Sequence, residues 1–412
     1  MKRSLLIFIL SLLTSTLHAN QIEVCSTCTY NTVKEAVENA VDGDEIIIKS
    51  GVYKENGIII INKAISLIGE GNPIIDGEFK ETIFSINADN FSIEGLTIIN
   101  VGQSYTKDFA GILISRSNHF TIRNNILKNV FFGILIEKSH YGIIENNQVS
   151  SNSVNEASSG NGIHIWHSSE MTISHNNLHG LRDGIYFEFV TNSKITYNLS
   201  YNNLRYGLHF MFSNNDEYHH NVFSNNGAGV AVMFSKFIKM TNNEFLKNWG
   251  STSYGLLLKE IYDAEIENNI FEKNTIGINV EGTTRINYKN NIFNRNGWAV
   301  KIKGACYENI FNNNNFTNNS FDLSYNSKLN DNNFDGNYWS SYTGYDLDKN
   351  GFGDVPYRPV KLFSYIVNRT PETIVLLRSL FVDIINFSEK VSPVFTPDDL
   401  LDKNPLMHRI DD

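Results

Sequence analysis

The chain has 412 residues, and 34 Lys and Arg against 44 Asp and Glu leave a net charge of −10. That sign argues against a general nucleic-acid binder, which needs surplus cations to neutralise phosphates. A hydrophobic content of 41% argues against disorder, and three cysteines are too few for a disulfide-dense scaffold. With 57 Asn, 50 aromatic residues and seven Pro this is no helical bundle; the length fits two or three ordinary domains or one elongated repeat array.

Lys2 and Arg3 precede an apolar run over residues 5–13, and Ala19 closes a short polar stretch. A basic start, about ten apolar residues and a small residue at the end predict a secretory signal peptide over 1–19 and an oxidising, extracytoplasmic destination. The run is too short for a permanent membrane span. Cys25 and Cys28 then form a CxxC that reads as a local disulfide, a redox pair or a soft-metal site. No second CxxC exists, so a zinc ribbon is not supported. Residues 20–100 are expected to form an N-terminal cap and the first coils, with a short helix around 32–41 and strands over 44–48 and 57–61.

From 101 to 334 one pattern recurs. Glycines stand at Gly111, Gly133, Gly162, Gly184, Gly207, Gly229, Gly255 and Gly277, and an asparagine follows each by fourteen residues, at Asn125, Asn147, Asn176, Asn198, Asn221, Asn243, Asn269 and Asn291. All length variation falls between an Asn and the next Gly, as in a rigid unit of about 22 residues with one tolerant corner. The residues one and three after each Gly are apolar (Ile163/Ile165, Ile185/Phe187, Leu208/Phe210, Val230/Val232) and, by strand alternation, share an inner face. Two residues after each Asn comes a second apolar row, Leu127 to Phe293, broken once by Ser200. Such units cannot bury these faces alone and must stack about 4.8 Å apart into an all-β parallel β-helix. Asn suits its turns because it tolerates left-handed backbone, and stacked amides can hydrogen-bond along the axis.

The residues two and four after each Gly should face solvent. In the central coils they read His164/Trp166, Tyr186/Glu188, His209/Met211, Ala231/Met233 and Leu257/Lys259. Met211 and Met233 occupy equivalent sites of successive coils, with His209 on the same face. Thioethers and imidazole form a Cu(I) set and a poor one for Mg or Ca. His209, Met211 and Met233 are therefore the candidate copper ligands, with Glu188, Tyr186, His164 and Trp166 as the surrounding pocket. Such a stripe also serves as a partner contact or a covered surface. The longer segment 150–161 is expected to overhang the row, flanked by Asp183 and Arg205.

Residues 335–412 depart from the repeat and read as a docking extension with short helices. Asp346, Asp348, Asn350 and Asp354, with Gly351 at the turn, have the spacing of a calcium loop, but Tyr357 stands where the bidentate Glu belongs. A calcium site and a rigid Asp/Asn/Gly turn both fit. After Pro371, Ile374, Leu377, Phe381, Ile384 and Ile385 form one amphipathic stripe, and a further helix is expected to begin at Thr396.

The stretches 204–213 (LRYGLHFMFS), 226–235 (NGAGVAVMFS) and 182–189 (RDGIYFEF), with the closing 337–348 (NYWSSYTGYDLD), resemble the NosD family of periplasmic copper-handling proteins needed to mature nitrous oxide reductase. The resemblance implies a right-handed parallel β-helix that receives copper from a membrane-anchored chaperone. It also implies a seat on an ABC transporter, permease and ATPase, and onward transfer of the metal toward the reductase, with no enzymatic activity of its own. The N-terminal CxxC is not part of that pattern. The competing expectation is a carbohydrate-active β-helix enzyme (lyase, epimerase or hydrolase), in which Trp166 stacks a sugar while Asp183, Glu188 and Arg205 act on a uronate. An adhesin-like structural solenoid would leave the two Met coils unexplained.

Overall fold

The computed structural model describes residues 20–104, 106–326, 331–391 and 400–410. The predicted signal peptide and the helix expected at Thr396 lie outside them. The chain winds into a parallel β-solenoid whose coils each contribute one strand to each of three sheets of 14, 12 and 13 strands. One sheet carries the candidate site. Its central strands are β1 (Ile163–Trp166), β2 (Asp183–Glu188), β3 (Tyr206–Met211), β4 (Ala228–Met233), β5 (Leu256–Lys259), β6 (Ile276–Glu281) and β7 (Trp298–Lys303), all in parallel register.

The spacing of Gly and Asn has two physical causes. A Cβ added at Gly162 would stand 2.6 Å from the carbonyl oxygen of Gly184, and one at Gly207 would stand 2.9 Å from that of Gly229. The coils approach so closely at this corner that only hydrogen fits. The inner rows one and three residues later, Ile163 to Leu258, are all fully buried. At the opposite corner each repeat asparagine donates from Nδ2 to the Oδ1 of the next. Asn125, Asn147, Asn176, Asn198, Asn221, Asn243, Asn269, Asn291, Asn314 and Asn337 are linked in this way at 2.9–3.1 Å. Five residues further on, Asn203, Asn226, Asn248, Asn274, Asn296 and Asn319 form a second column, beyond the one the Gly–Asn spacing predicts.

One detail of the turn chemistry is corrected. The left-handed residue is not the ladder asparagine but the one before it, for example Asn146, His175, Tyr197 and His220, each with φ of 55–56°. The tolerance for left-handed backbone and the axial bonding therefore belong to neighbouring residues. Ser200, which interrupts the apolar row, bonds from its hydroxyl to the Gly207 carbonyl at 2.7 Å and accepts from Asn203.

At the N-terminal end α1 (Val33–Asn39) is capped by Thr32, whose hydroxyl accepts from Glu35 N at 3.2 Å, and the strands expected beside it run over Glu45–Ile48 and Ile59–Ile61. Cys25 and Cys28 are joined in a disulfide, the first of the three readings offered for the CxxC. At the other end the solenoid continues to Tyr338–Trp339. There the buried carboxylate of Asp402 accepts from the backbone and side chain of Asn337, from Gly336 N and from Trp339 Nε1. Beyond lie α2 (Leu362–Arg369), a 3-10 turn over Pro371–Leu376 and α3 (Leu380–Val391). The expected single stripe is broken here. Pro371 opens a separate turn, so Leu377 and Ile385 pack with Phe363, Val367 and Val382 against Trp298 and Phe321, whereas Ile374, Phe381 and Ile384 are exposed.

Candidate functional site

The outward faces of β1 to β5 line a shallow trough. Met211 and Met233 are register partners on adjacent strands, both half-buried and facing outward, so their Cα atoms lie about one strand spacing apart. Trp166 and Glu188 continue this row. Lys138 lies 5.1 Å above the Trp166 ring.

The row two residues after each glycine is not solvated as expected. His209 is 8% exposed, Ala231 0% and Leu257 7%. They are covered by an apolar cluster on the outside of the sheet, in which Ala228, Ala231, Tyr254 and Leu257 pack with Tyr206 and Met233. Tyr254 enters from a long coil segment between an Asn and the next Gly, which no repeat pattern specifies. His209 sits between two tyrosine rings, edge-on to Tyr186 at 5.0 Å and tilted against Tyr206 at 4.8 Å. Neither of its ring nitrogens has a hydrogen-bond partner. Burial pulls its pKa down to about 4, helped by Arg205 and Arg182 and opposed by Asp183, so at neutral pH the imidazole is uncharged with a lone pair available.

The upper end of the trough is polar. Asp183, fully buried, takes Arg205 Nε at 2.9 Å and its second guanidinium nitrogen in a bidentate pair. Tyr186 reaches Glu188 at 3.4 Å, and burial raises its hydroxyl to about 12. His164 packs between Phe132 and Tyr186 and contacts Asn161, the last residue of the 150–161 segment, which does stand beside the row. Sequence reasoning missed Asn161, Arg182, Tyr206 and Tyr254, and also a column of exposed rings, His167, Phe189, Phe212 and Phe234, stacked 4.5–5.1 Å apart along the trough's edge. The last was legible as an aromatic following each residue of the Met row.

The loop from Asp346 to Asp354 lies away from this surface. Asp346 accepts from Asn350 N and Gly351 N at 3.1 and 2.9 Å, Asn350 Oδ1 from Phe352 N, and Asp354 from Leu347 N at 2.7 Å; Asp348 holds the Asn350 side chain. These oxygens serve the loop's own amides. Among the described residues no group of three or more His, Cys, Asp or Glu is arranged to hold a metal ion.

A family model described as "Periplasmic copper-binding protein (NosD)" matches residues 37–158 and 150–344. The chain belongs to the NosD family. Among NosD relatives, a "Probable ABC transporter binding protein NosD" from Stutzerimonas stutzeri is 25% identical over 394 residues, covering 87% of this chain and 85% of the relative. Its Pseudomonas aeruginosa namesake is 33% identical over 70 residues, 17% of this chain and 16% of that one. Among solved structures the NosD fold matches the A-module of a mannuronan C-5 epimerase from Azotobacter vinelandii (13% identity, TM-score 0.59, 75% of this chain and 96% of that one). It also matches the catalytic unit of an α-1,3-glucanase from Streptomyces thermodiastaticus (13% identity, TM-score 0.62, 74% and 65%). At that identity the likeness concerns the solenoid alone. No helix among the described residues is long and apolar enough to cross a membrane.

Proposed function

We propose that this chain is a non-enzymatic periplasmic accessory protein that takes up Cu(I) on His209, Met211 and Met233 and hands it on during maturation of nitrous oxide reductase, docked on an ABC transporter. The observation that carries this reading is His209, a buried neutral imidazole with two unpartnered nitrogens on the strand that sets Met211 beside Met233. An orphaned buried polar atom costs about 1–3 kcal/mol, and a soft cation on one nitrogen offsets that cost. Two thioethers and an imidazole leave room for a ligand from a donor such as a membrane-anchored copper chaperone, so the ion can exchange without a bare intermediate.

The docking half of the proposal draws on the relative's name, an ABC transporter binding protein, and on the C-terminal extension. There Val375, Leu380, Phe381, Ile384 and Phe387 are 53–83% exposed. A contiguous apolar face of this kind marks an interaction surface, here for the transporter's permease, with its ATPase behind it.

The test is competition for Cu(I) against a chelator. The protein should retain copper, and Met211→Leu with Met233→Leu should weaken it at least tenfold. An unaltered affinity in that double variant, or no copper retained with or without a donor protein, sinks the reading. A carbohydrate-active enzyme remains the second reading, favoured by Trp166, Tyr186 and Glu188 in one trough. It is weakened because Asp183 is committed to Arg205 and so is not free as an acid or base. Turnover of alginate or pectin would promote it.

A further inference from the structure

The polar end of the trough contains groups that copper uptake leaves unused, and the structure fixes which of them carry hydrogens. Arg182 donates from Nε to Asn161 Oδ1 at 3.2 Å, and this orients the Asn161 amide. Its other end, Nδ2, lies 3.1 Å from His164 Nδ1. An amide nitrogen has only hydrogens to offer, so Nδ1 must be the acceptor and the ring proton resides on Nε2. Asn161 is fully buried, which locks the relay. Burial, with Arg182 nearby, also lowers the His164 pKa to about 3, so the ring stays neutral. His164 therefore presents an N–H donor.

Beside it Arg182 is a half-buried guanidinium short of a counter-charge. The nearest carboxylate oxygen, Asp183 Oδ2, is 4.0 Å away and already bonded to Arg205, so two guanidiniums share one carboxylate. Of the other acids nearby, Glu188 is engaged by Tyr186, and Glu156 projects from an exposed turn. Rings of Phe132 and Tyr186, 5.3 and 4.6 Å from the imidazole, wall the place. His164 and His209 are two strands apart on one column, about 10 Å, with Tyr186 between them.

We propose that Arg182 and His164 form a receiving site for a carboxylate, adjoining the copper-binding residues and distinct from them. The guanidinium supplies charge and paired donors, His164 Nε2–H supplies another, and the aromatic walls exclude water from the pair. The ligand chemistry is a carboxylate, on an acidic side chain or on a sugar acid. The inference does not depend on copper uptake.

The test follows the His164 ring nitrogens by 15N NMR in the mature protein during titration with N-acetyl-glutamate amide and with galacturonate, using N-acetyl-glutamine amide and galactose as neutral counterparts. A saturable shift with at least one carboxylate and with neither neutral compound is expected, and whichever saturates identifies the source. Arg182→Gln should weaken it at least tenfold. Asn161→Asp should do the same by a different route: a carboxylate there accepts from His164 Nδ1 and moves the proton off Nε2, a change visible in the spectrum before any ligand is added. Absence of saturation with both carboxylates, equal response to the neutral compounds, or an Arg182→Gln protein that binds like the parent overturns the proposal. Cu(I) competition on the same samples reads the copper proposal separately.

Discussion

Asp216 and His209 are both buried and both carry unpartnered atoms, yet they lead to opposite expectations. Asp216 is fully buried inside the solenoid wall, where one oxygen accepts from Ser193 N at 2.8 Å and the other has no partner. Burial pushes its carboxyl well above the usual carboxylate range. The folded chain thus keeps a proton that the unfolded chain has lost, and stability falls as pH rises from ordinary carboxylate values toward that raised pKa. Asp216→Asn keeps the bond from Ser193 and removes the titration. Thermal melts between pH 4 and 8 should show the parent losing stability with rising pH, and the variant flat and more stable at pH 7 by about 1–3 kcal/mol. At His209 the orphaned atoms lie between the Tyr186 and Tyr206 rings, on the strand that carries Met211. The half-exposed thioethers beside it should be removable at little cost, so Met211→Leu with Met233→Leu should leave the melting temperature nearly unaltered while copper retention collapses. The register of that pair was legible, because constant Gly spacing puts equivalent residues on adjacent strands. The burial of His209 was not, since its cover comes from Tyr206, just ahead of the repeat glycine, and from Tyr254 in a segment of variable length. Nor was the Asn161–Arg182–His164 relay, whose direction depends on side chains from successive coils.

Each coil is held by two corners with different tolerances. At the glycine corner a single methyl is too much. In Gly162→Ala the new Cβ would meet Gly184 O at 2.6 Å, Leu181 Cδ1 at 2.7 Å and Leu178 Cδ2 at 2.8 Å, so backbone must move and a loss of roughly 3 kcal/mol is expected by denaturant titration. At the asparagine corner the loss is of bonds. Asn198 accepts from Asn176 N and Nδ2 and donates to Ile173 O and Asn221 Oδ1, all in the interior. Asn198→Ala strands these groups and should cost at least about 2–3 kcal/mol, more than Asn177→Ala in the preceding coil. The two corners explain why coils and inner rows could be read from spacing alone: through the central coils close approach selects Gly and axial bonding selects Asn. The second asparagine column obeys the same logic. The left-handed positions were harder to place because His, Tyr and Phe occupy several of them.

Over the whole molecule the C-terminal extension is tied to the solenoid through Asp402, which accepts four hydrogen bonds from the last coil and a fifth from Asn404 N in its own segment. Asp402→Ala leaves buried donors without an acceptor. Hydrogen exchange should then accelerate over residues 335–340 and 400–406 while the central coils remain protected. Replacing Val375, Leu380 and Phe387 by Ser should leave the melting temperature unaltered, because these side chains are 68–83% exposed, and should weaken co-purification with the transporter if they form its seat. That the tail differs from the repeat was legible from composition, but its geometry was not. Pro371 breaks the apolar series into a turn and a helix, and α2, which packs against the end of the solenoid, has too short a pattern to stand out.

The asparagine columns also have a direction. In most of these side chains one amide hydrogen points to the next asparagine, toward the C-terminal end, while the other meets a backbone carbonyl of an earlier coil, and with every Oδ1 facing back along the column the small dipoles add along the axis as those of a helix do. The leading end of each column is partially positive, and each finishes on an acid, Asp402 for one and Asp322 for the other. The solenoid is in this sense a polarised rod with anionic stoppers. Adding coils by duplication would be tolerated only upstream of those two aspartates.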